Sequence, residues 1–425
     1  MNEYALLFPG QGSQYVGMGK NFYQDYAVVR ELFEEAEDLL HIKLSQLCFE
    51  GNLEELTKTV NTQPAILVTS VAMFKVFMEK REIVPRFAAG HSLGEISALT
   101  CSGVISFCDA VEIVRRRGML MQEAVSSAVG AMYVISGIAK ERVEEFLQNE
   151  PGMSRQVVIS NDNSPQQVTI SGYRDAVDLA ASKLEQQYAR VMKLNVSAPF
   201  HCPLMKPAAD QFKEELKGYS YNKFLFPVLS NVTAHPYTDS TDIPEILARQ
   251  MVQPVLWRDT MQFLHRNDIS TVIDMGPQGV LKNLAVKNIP GITAFAYDNA
   301  DDRDSVRLWF MRPSAQGTTE TCVRRFVTQC LAESVCTKNK NWNEEEYRNG
   351  VLIPFEKLQQ IVSRYEQDNT LDEPEDAREA LVLLKLIMNT KKVSEYEQSI
   401  RIDRIVESTG ADFLVREPVV TGAFM

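Results

Sequence analysis

The decisive stretch of this sequence is GHSLG, residues 90–94, which has the form G-x-S-x-G. It follows a short, mostly apolar run at residues 83–89 and precedes a helical pattern. A serine on a tight turn between a strand and a helix is lifted out of the sheet, and flanking glycines let the backbone turn sharply and let a substrate approach. The context predicts that Ser92 is a nucleophile, and the alternative is an ordinary strand-to-helix turn.

Length and composition indicate a globular protein with two or three domains. The chain has 425 residues, of which 45% are hydrophobic and 24% are charged. Its net charge of −12 argues against nucleic acid as the main partner. No apolar stretch is long enough to span a membrane, and residues 1–4 lack the pattern of a signal peptide. The seven cysteines are scattered without C-x-x-C spacing, which indicates no zinc site or disulfide framework and favours a reducing cytoplasm.

A second glycine-rich turn lies near the N-terminus. The strand-like run at residues 4–8 leads into PGQGSQ at residues 9–14, where backbone N–H groups can come close to a ligand. No Gly-Lys-Ser/Thr follows, and the third glycine of a dinucleotide fingerprint is absent, so neither kind of nucleotide site is indicated. The alternative is a plain strand-to-helix turn.

Two helices are predicted on either side of the GHSLG stretch. Residues 65–80 are strongly apolar and indicate a buried helix, and residues 107–123 form an amphipathic pattern that carries Arg115, Arg116 and Arg117. Consecutive helical residues point about 100° apart, so the three arginines cannot share one face. We expect one of them to point into the protein and two to be solvated.

Residues 130–194 differ in pattern from the chain around them. Strand-like and helical runs follow there in the order β-α-β-β-α-β, which is that of a ferredoxin-like subdomain. The polar stretch Asn161–Pro165 is expected to form the loop between the second and third strands. We predict a small subdomain, about residues 130–195, inserted into a larger α/β domain. Its strands are expected at residues 132–135, 156–160, 167–171 and 190–194, and its helices at 140–148 and 175–187.

A serine nucleophile needs a base near neutral pH, and histidine is the usual one. The chain has five histidines: His41, His91, His201, His235 and His265. His91 is adjacent to Ser92 and would point away from it, and three others lie in polar stretches. His201 lies in an irregular segment after the insert, where it either faces a cleft or sits in a surface loop. No aspartate is placed convincingly beside it, so we expect a Ser–His dyad oriented by a backbone carbonyl or an amide.

Six separated segments resemble the malonyl-CoA:acyl carrier protein transacylases in order and spacing, and the chain also looks like the acyltransferases that serve polyketide synthases. The segments are residues 8–14 (FPGQGSQ), 62–65 (TQPA), 90–95 (GHSLGE), 117–122 (RGMLMQ), His201 and 276–277 (GP). The resemblance covers about residues 1–300. It implies an α/β fold with an α/β-hydrolase-like core and a ferredoxin-like insert, and a reaction without cofactor or metal.

The resemblance assigns roles to individual residues. Ser92 would be acylated by the CoA thioester, with His201 as its base. The backbone N–H groups of Gln11 and Leu93 would form the oxyanion hole, in which one donor is worth about 2.7–4 kcal/mol. Arg117 would pair with the free carboxylate of malonate, because a planar guanidinium makes two parallel hydrogen bonds and keeps its charge.

Two further polar residues match positions around the family's site. Gln63 and Gln250 would line it, and Gln250 would also help to orient His201. Asn163, in the expected loop of the insert, is a weaker candidate.

The residue before the base departs from one group within the family. Stand-alone fatty-acid enzymes often have a small residue there, in a Pro-Ser-His context, whereas malonyl-selective polyketide acyltransferases carry Ala-Phe-His. Here the run is Pro199-Phe200-His201, and a bulky ring beside the α-carbon leaves little room for an α-methyl group. The chain therefore resembles a stand-alone malonyl loader of the polyketide type that acts in trans, with Phe200 as a substrate-binding residue.

The chain continues well beyond the segments that carry the resemblance. Residues 1–300 are the expected acyltransferase domain, and residues 301–425 have no family counterpart that the sequence reveals. Helical runs at residues 355–365 and 377–388 predict a mainly helical C-terminal extension, and Pro374 with the acidic residues around it, Glu373 among them, marks a helix start. The extension either packs on the core or docks a synthase.

The favoured function is transfer of a malonyl group from malonyl-CoA to a phosphopantetheinylated acyl carrier protein. A polyketide synthase is a further expected partner, and nucleic acid and membrane are not. Two alternatives stay open: an acyl hydrolase that clears stalled chains from carrier proteins, and a non-catalytic synthase adaptor. Arg117 argues against a hydrolase for neutral chains, which has no use for a cation there. An intact set of Ser92, His201 and Arg117 argues against an adaptor.

Overall fold

The computed structural model describes residues 3–79, 84–127, 130–194, 198–311, 322–337, 339–341, 343–367, 374–409 and 411. The chain divides into two compact units, Glu3–Asp304 and Ser305–Met425. Within the described ranges, no helix is both long and apolar enough to cross a membrane.

The first unit starts with a strand and the helices around the GHSLG turn. Its first elements are β1 (Ala5–Phe8), α1 (Lys20–Asp25), α2 (Ala27–Leu40), α3 (Leu44–Glu50), α4 (Leu53–Thr57), α5 (Thr59–Glu79), β2 (Phe87–Gly90), α6 (Leu93–Cys101) and α7 (Phe107–Ser127). α5 starts six residues before the predicted helix and is buried along most of its length, which explains its lack of a polar face. β2 covers only the C-terminal part of the strand predicted at residues 83–89, and it extends one residue further, to Gly90. Residues 80–83 lie outside the described ranges.

The inserted ferredoxin-like subdomain is confirmed. Its elements are β3 (Gly130–Ser136), α8 (Lys140–Asn149), β4 (Val157–Ser164), β5 (Gln167–Tyr173), α9 (Arg174–Gln186) and β6 (Arg190–Lys193). The strands form an antiparallel sheet in the order β4-β5-β3-β6, and α8, α9 and the sheet enclose an apolar core of their own. The loop expected at Asn161–Pro165 is wrong in extent, because Asn161, Asp162, Asn163 and Ser164 continue β4 through two register irregularities.

After the insert the chain returns to the first sheet. The remaining elements are α10 (Lys206–Leu216), β7 (Val228–Leu229), α11 (Ile243–Val252), α12 (Trp257–Arg266), β8 (Thr271–Asp274), α13 (Val280–Asn288), β9 (Thr293–Ala296) and α14 (Ala300–Met311). Five parallel strands lie in the order β7-β2-β1-β8-β9. The loops after β1, β2 and β8 therefore meet at one edge of the sheet, where ligands bind in open α/β folds.

The second unit is helical in its described part. Its elements are α15 (Cys322–Cys336), α16 (Glu344–Tyr347), α17 (Ile353–Gln367), α18 (Pro374–Thr390) and α19 (Glu395–Thr409). Side chains from α15, α17, α18 and α19 share one apolar core. α18 starts at the predicted Pro374, and both predicted helices are longer than expected; Glu373 lies outside the described residues.

Candidate active site

The GHSLG turn holds Ser92 in a conformation that non-glycine residues rarely adopt. Its backbone has φ 55° and ψ −110°, directly before the first turn of α6. A Cβ on Gly94 would lie 1.8 Å from the backbone oxygen of Phe8, and one on Gly90 would lie 1.9 Å from the carbonyl carbon of Gly94. Neither position accepts a side chain: Gly94 lets the end of β1 pack directly against this turn, and Gly90 lets the turn close on the start of α6.

A single amide side chain ties the two sides of the turn together. The backbone N–H of Ser92 donates to Oδ1 of Asn231 at 2.7 Å, and Nδ2 of Asn231 donates to the backbone oxygen of Gly90 at 2.5 Å. Asn231 follows β7 and lies 139 positions after Ser92 in sequence. Sequence reasoning missed it, because nothing in the local pattern around Asn231 indicates a contact so distant in the chain.

His201 contacts the Ser92 hydroxyl. Nε2 of His201 lies 2.8 Å from Oγ of Ser92, and Nδ1 lies 2.6 Å from the backbone oxygen of Gln250. A carbonyl can only accept, so we assign the ring proton to Nδ1, which leaves Nε2 to accept from the serine. The structure thus brings the two predicted residues together, with a backbone carbonyl as the orienting group.

The other histidines make different contacts. Nε2 of His91 lies 2.9 Å from Oδ1 of Asn163, and its ring packs against Trp257 with centroids 5.5 Å apart. Asn163 therefore contacts the turn from β4 rather than from a loop. The remaining three histidines, His41, His235 and His265, are exposed.

His201 is held in its neutral form. Burial, with a smaller contribution from the positive charge of Arg117, lowers the pKa of His201 to about 3. A neutral imidazole is what a general base requires, since only that form can take a proton from a hydroxyl.

Arg117, on α7, is the inward-pointing member of the arginine run. Its side chain is 1% exposed. Nη2 donates to Oγ of Ser92 at 3.1 Å and to Oε1 of Gln250 at 2.8 Å, and Nη1 donates to Oε1 of Gln63 at 3.0 Å. Nε finds no hydrogen-bond partner among the described residues. The three side chains that accept these hydrogen bonds are neutral, and burial lowers the pKa of Arg117 to about 10, although the charge of Glu95 opposes this shift.

The other two arginines are half-buried rather than fully solvated. Arg116 pairs with Glu215, with Nε 2.8 Å from Oε2, and Arg115 donates to the backbone oxygen of Val60 at 2.9 Å. The prediction that one arginine points inward is therefore confirmed. The other two point outward as expected, but they also contact protein groups.

Gln11 and Leu93 face the same cavity as Ser92. Leu93 is the first residue of α6, and Gln11 lies in the glycine-rich loop after β1. Neither backbone N–H donates to another residue in the described part of the chain. An oxyanion hole requires backbone donors of this kind, with no other acceptor.

The cavity has a volume of about 430 Å³ and lies between the parallel sheet and the insert. Phe200 and Met132 line it, and the backbone N–H of Phe200 approaches Sδ of Met132 at 3.2 Å. Polar side chains on the insert and on α13 line other parts of its wall: Asn161, Asn163, Gln167, Thr169, Asn283 and Lys287. In the described ranges, no three His, Cys, Asp or Glu side chains are grouped to hold a metal ion.

Comparisons with known proteins agree on one family. The profile of the acyl transferase domain family matches residues 5–290. A malonyl CoA-acyl carrier protein transacylase of Bacillus subtilis is 37% identical over 401 residues, which is 94% of this chain and 99% of the relative. The enzyme of that name from Escherichia coli (strain K12) is 40% identical over 297 residues, covering 70% of this chain and 96% of the relative.

This chain belongs to the malonyl CoA-acyl carrier protein transacylase family. Solved structures agree with that assignment. A malonyl-transacylase in complex with its type II polyketide synthase acyl-carrier protein has a TM-score of 0.69 at 40% identity, over 71% of this chain and 98% of that one. The acyl carrier protein S-malonyltransferase of Vibrio cholerae has a TM-score of 0.67 at 39% identity, over 72% and 99%.

The C-terminal extension is shared with one family member. The match to the Bacillus subtilis relative is longer than residues 3–304 and must include most of residues 305–425. The expectation that the extension has no family counterpart is therefore wrong. Its sequence contains none of the family's motifs, which is why the motifs alone could not reveal the relationship.

Proposed function

We propose that this chain transfers a malonyl group from malonyl-CoA to the phosphopantetheine thiol of an acyl carrier protein through a malonyl ester of Ser92. One observation carries the proposal: Oγ of Ser92 lies 2.8 Å from a neutral imidazole and 3.1 Å from a buried guanidinium in the same cavity. A base activates the hydroxyl, and a cation beside it selects an acyl group that bears its own carboxylate.

The first half-reaction follows from these contacts. His201 takes the hydroxyl proton while Oγ of Ser92 attacks the thioester carbonyl, and the backbone N–H groups of Gln11 and Leu93 donate hydrogen bonds to the developing oxyanion. Collapse of the tetrahedral intermediate breaks the carbon–sulfur bond. The proton on His201 goes to the departing CoA sulfur. In the second half, the carrier thiol gives its proton to His201 as its sulfur attacks the ester carbonyl. The bond from the carbonyl carbon to Oγ of Ser92 then breaks, the proton passes from His201 to Oγ, and the malonyl group remains on the carrier sulfur.

Arg117 supplies the selectivity in this scheme. Its Nη2 donates to the serine and Gln250 before substrate arrives, and the malonyl carboxylate would provide the anion that its neutral partners lack. Gln63 accepts from Nη1 and Gln250 accepts from Nη2, so the two amides hold both terminal nitrogens of the guanidinium. Pairing with that carboxylate would also offset the positive charge that helps to lower the pKa of His201, and so would make the base stronger when the correct substrate is bound.

The polar cavity wall suits the long arm of both substrates. The pantetheine arm of CoA and of a carrier protein contains two amides, and the side chains of Asn161, Asn163 and Gln167 offer donors and acceptors to such groups. Phe200 lies in the same cavity and would restrict space at the α-carbon. We therefore favour a malonyl loader of the polyketide type.

We assign the reaction to residues 1–300 and regard residues 301–425 as an extension that packs on the core or docks a synthase. The boundary is supported by the family match, which ends at residue 290, and by the division into units after Asp304. We place the protein in the cytoplasm, where the scattered cysteines would remain reduced.

Incubation with isotope-labelled malonyl-CoA, followed by intact mass measurement, tests the function. The parent protein should gain one malonyl group and pass it to an added phosphopantetheinylated carrier protein. Ser92→Ala should abolish both steps, because the covalent intermediate divides the reaction in two. A malonyl adduct on the Ala variant would disprove the assignment of the nucleophile.

The same assay separates a transferase from a hydrolase. A transferase must hold its ester until the carrier thiol arrives, so CoA release without carrier should stop after about one equivalent per enzyme. Continuous release at a rate close to that of transfer would instead support the hydrolase.

A further inference from the structure

Glu95 is a fully buried carboxyl group on α6, three positions after Ser92, and it lies outside the cavity wall. Three donors converge on it. The hydroxyl of Tyr237 donates to Oε1 at 2.5 Å, and Oε2 accepts from Nε2 of Gln250 at 2.7 Å and from the backbone N–H of Asn231 at 3.1 Å. The carboxyl group is thus fixed at both oxygens.

Gln250 passes this constraint to Arg117. A carboxamide has two ends of similar shape, and its hydrogen-bond partners decide which end faces which way. Nε2 of Gln250 donates to Glu95 and also to the backbone oxygen of Ser92 at 2.8 Å. Its Oε1 is thereby turned toward Arg117, where it accepts from Nη2 at 2.8 Å. The opposite orientation would place an NH₂ group against the guanidinium.

Asn231 passes the same constraint to the serine turn. Oε2 of Glu95 accepts from the backbone N–H of Asn231, whose side chain in turn accepts from the backbone N–H of Ser92. The two groups that Oε2 binds therefore hold the backbone oxygen and the backbone nitrogen of Ser92, respectively. Oε2 of Glu95 therefore connects Gln250, which binds the Arg117 guanidinium, to Asn231, which binds the Ser92 turn.

We propose that Glu95 is a positioning residue of the transfer reaction: through Gln250 and Asn231 it sets the Arg117 guanidinium and the Ser92 turn in one geometry. It touches neither substrate nor the reacting atoms. Its action depends on where Oε2 lies rather than on the negative charge. This inference rests on the proposed malonyl transfer, since the group that Arg117 receives is the malonyl carboxylate.

The environment of Glu95 agrees with a role for position. Burial raises the pKa of Glu95 to about 7, although its three donors and Arg117 oppose the shift. A neutral acid still offers Oε2 as an acceptor and can direct its own proton to the hydroxyl oxygen of Tyr237. The side chain of glutamine has the same shape and can keep an acceptor at the position of Oε2, while its NH₂ group would donate to the hydroxyl oxygen of Tyr237.

Two substitutions separate position from charge. Glu95→Gln removes the charge and keeps an acceptor at Oε2, whereas Glu95→Asp keeps the charge and withdraws the carboxyl group by one carbon–carbon bond. Misplacement of a catalytic group by about 1 Å can cost roughly 100-fold in rate. We expect Glu95→Asp to lower malonyl loading at least about tenfold and to lower the ratio of malonyl to acetyl loading at least about threefold. Glu95→Gln should keep both within about threefold of the parent.

The measurements are the kcat and KM of acyl-enzyme formation with malonyl-CoA and with acetyl-CoA, together with the Tm of each variant. Asp274→Asn is the matched control, because Asp274 is an equally buried carboxyl group that accepts from the backbone N–H of Leu281 at 2.7 Å and of Lys282 at 3.1 Å. The control should keep the parent's malonyl-to-acetyl ratio whatever its Tm.

The two variants decide the inference together. It is overturned if Glu95→Asp loads malonate as well as Glu95→Gln does, or if the Asp variant loses malonyl and acetyl loading by equal factors. If the parent protein forms the malonyl adduct, either of these results leaves the proposed function intact. A parent that forms no adduct at Ser92 would contradict the proposed function itself.

Discussion

The two units of this chain each bury a cation, and the two cations face different surroundings. Lys391 is 5% exposed, and its Nζ donates to the backbone oxygens of Ser334 at 2.7 Å and Thr337 at 3.0 Å. These carbonyls lie at the C-terminal end of α15, where unpaired carbonyls and the helix dipole favour positive charge. Arg117 is 1% exposed and donates to a serine hydroxyl and two side-chain amides.

The difference separates a structural cation from the cation that we propose binds the malonyl carboxylate. Lys391 satisfies acceptors that its own unit would otherwise leave unpaired, so its charge serves the fold. Arg117 lies at a cavity with Nε unpartnered among the described residues, and it touches the nucleophile. A buried donor without an acceptor is costly, and an incoming anion at the cavity would supply that acceptor. Burial alone would not have distinguished the two.

The largest expected effect comes from removing the cation of the first unit. Truncating one partner of a buried charge pair typically costs about 2–5 kcal/mol, so Arg117→Ala should lower kcat/KM for malonyl-CoA by at least about tenfold. Loading from acetyl-CoA should stay the same or improve, because no carboxylate is lost and the desolvated charge is gone. Steady-state kinetics with both thioesters measure the effect, and equal malonyl loading by the variant and the parent would place the carboxylate elsewhere.

Lys391→Met is the counterpart in the second unit. Two buried carbonyls would lose their donor, at a cost of about 1–3 kcal/mol in the free energy of unfolding. Thermal or denaturant unfolding should detect the loss, while the ratio of malonyl to acetyl loading stays that of the parent. A change in that ratio would mean that Lys391 is not purely structural.

Phe200→Ser tests the neutral part of the same cavity. One methylene in an apolar pocket is worth about 1–3 kcal/mol, so removing the ring should raise methylmalonyl loading relative to malonyl by about tenfold. Malonyl loading itself should persist, because Arg117 still meets the carboxylate. Competition between the two thioesters, read by intact mass, measures the ratio, and an unchanged preference would remove Phe200 from the selectivity of the site.

The smallest effect concerns pH. Burial and the charge of Arg117 lower the pKa of His201 to about 3, and the base works only when neutral. Removing the cation in Arg117→Ala raises that pKa, so acetyl-enzyme formation should be lost at a higher pH than in the parent. Rates of acetyl-enzyme formation, measured as the pH is lowered from 7 to 4, test this prediction. Lys391→Met is the control, and its pH profile should follow that of the parent. A shift to lower pH would contradict the electrostatic coupling.

Local patterns in the sequence were sufficient for several elements. The GHSLG turn, the inward direction of one arginine and the order of the insert follow from chain neighbours, because glycine spacing and helical or strand periodicity are local properties. The extent of β4 was not predictable in this way. Asn161 to Ser164 have the composition of a loop, and their pairing with β5 and the bridge of Asn161 to Val255 keep them in a strand.

The sequence by itself determined the family, the candidate nucleophile, the candidate base and the candidate cation, because each is carried by a short motif. Only the tertiary structure decided how these residues are held. Asn231, Tyr237 and Gln250 are all more than 130 positions from the turn that they support, and no periodicity connects them to it. Hydrogen-bond partners of buried groups are chosen by three-dimensional proximity, since a buried polar atom must be satisfied by whatever the fold brings beside it.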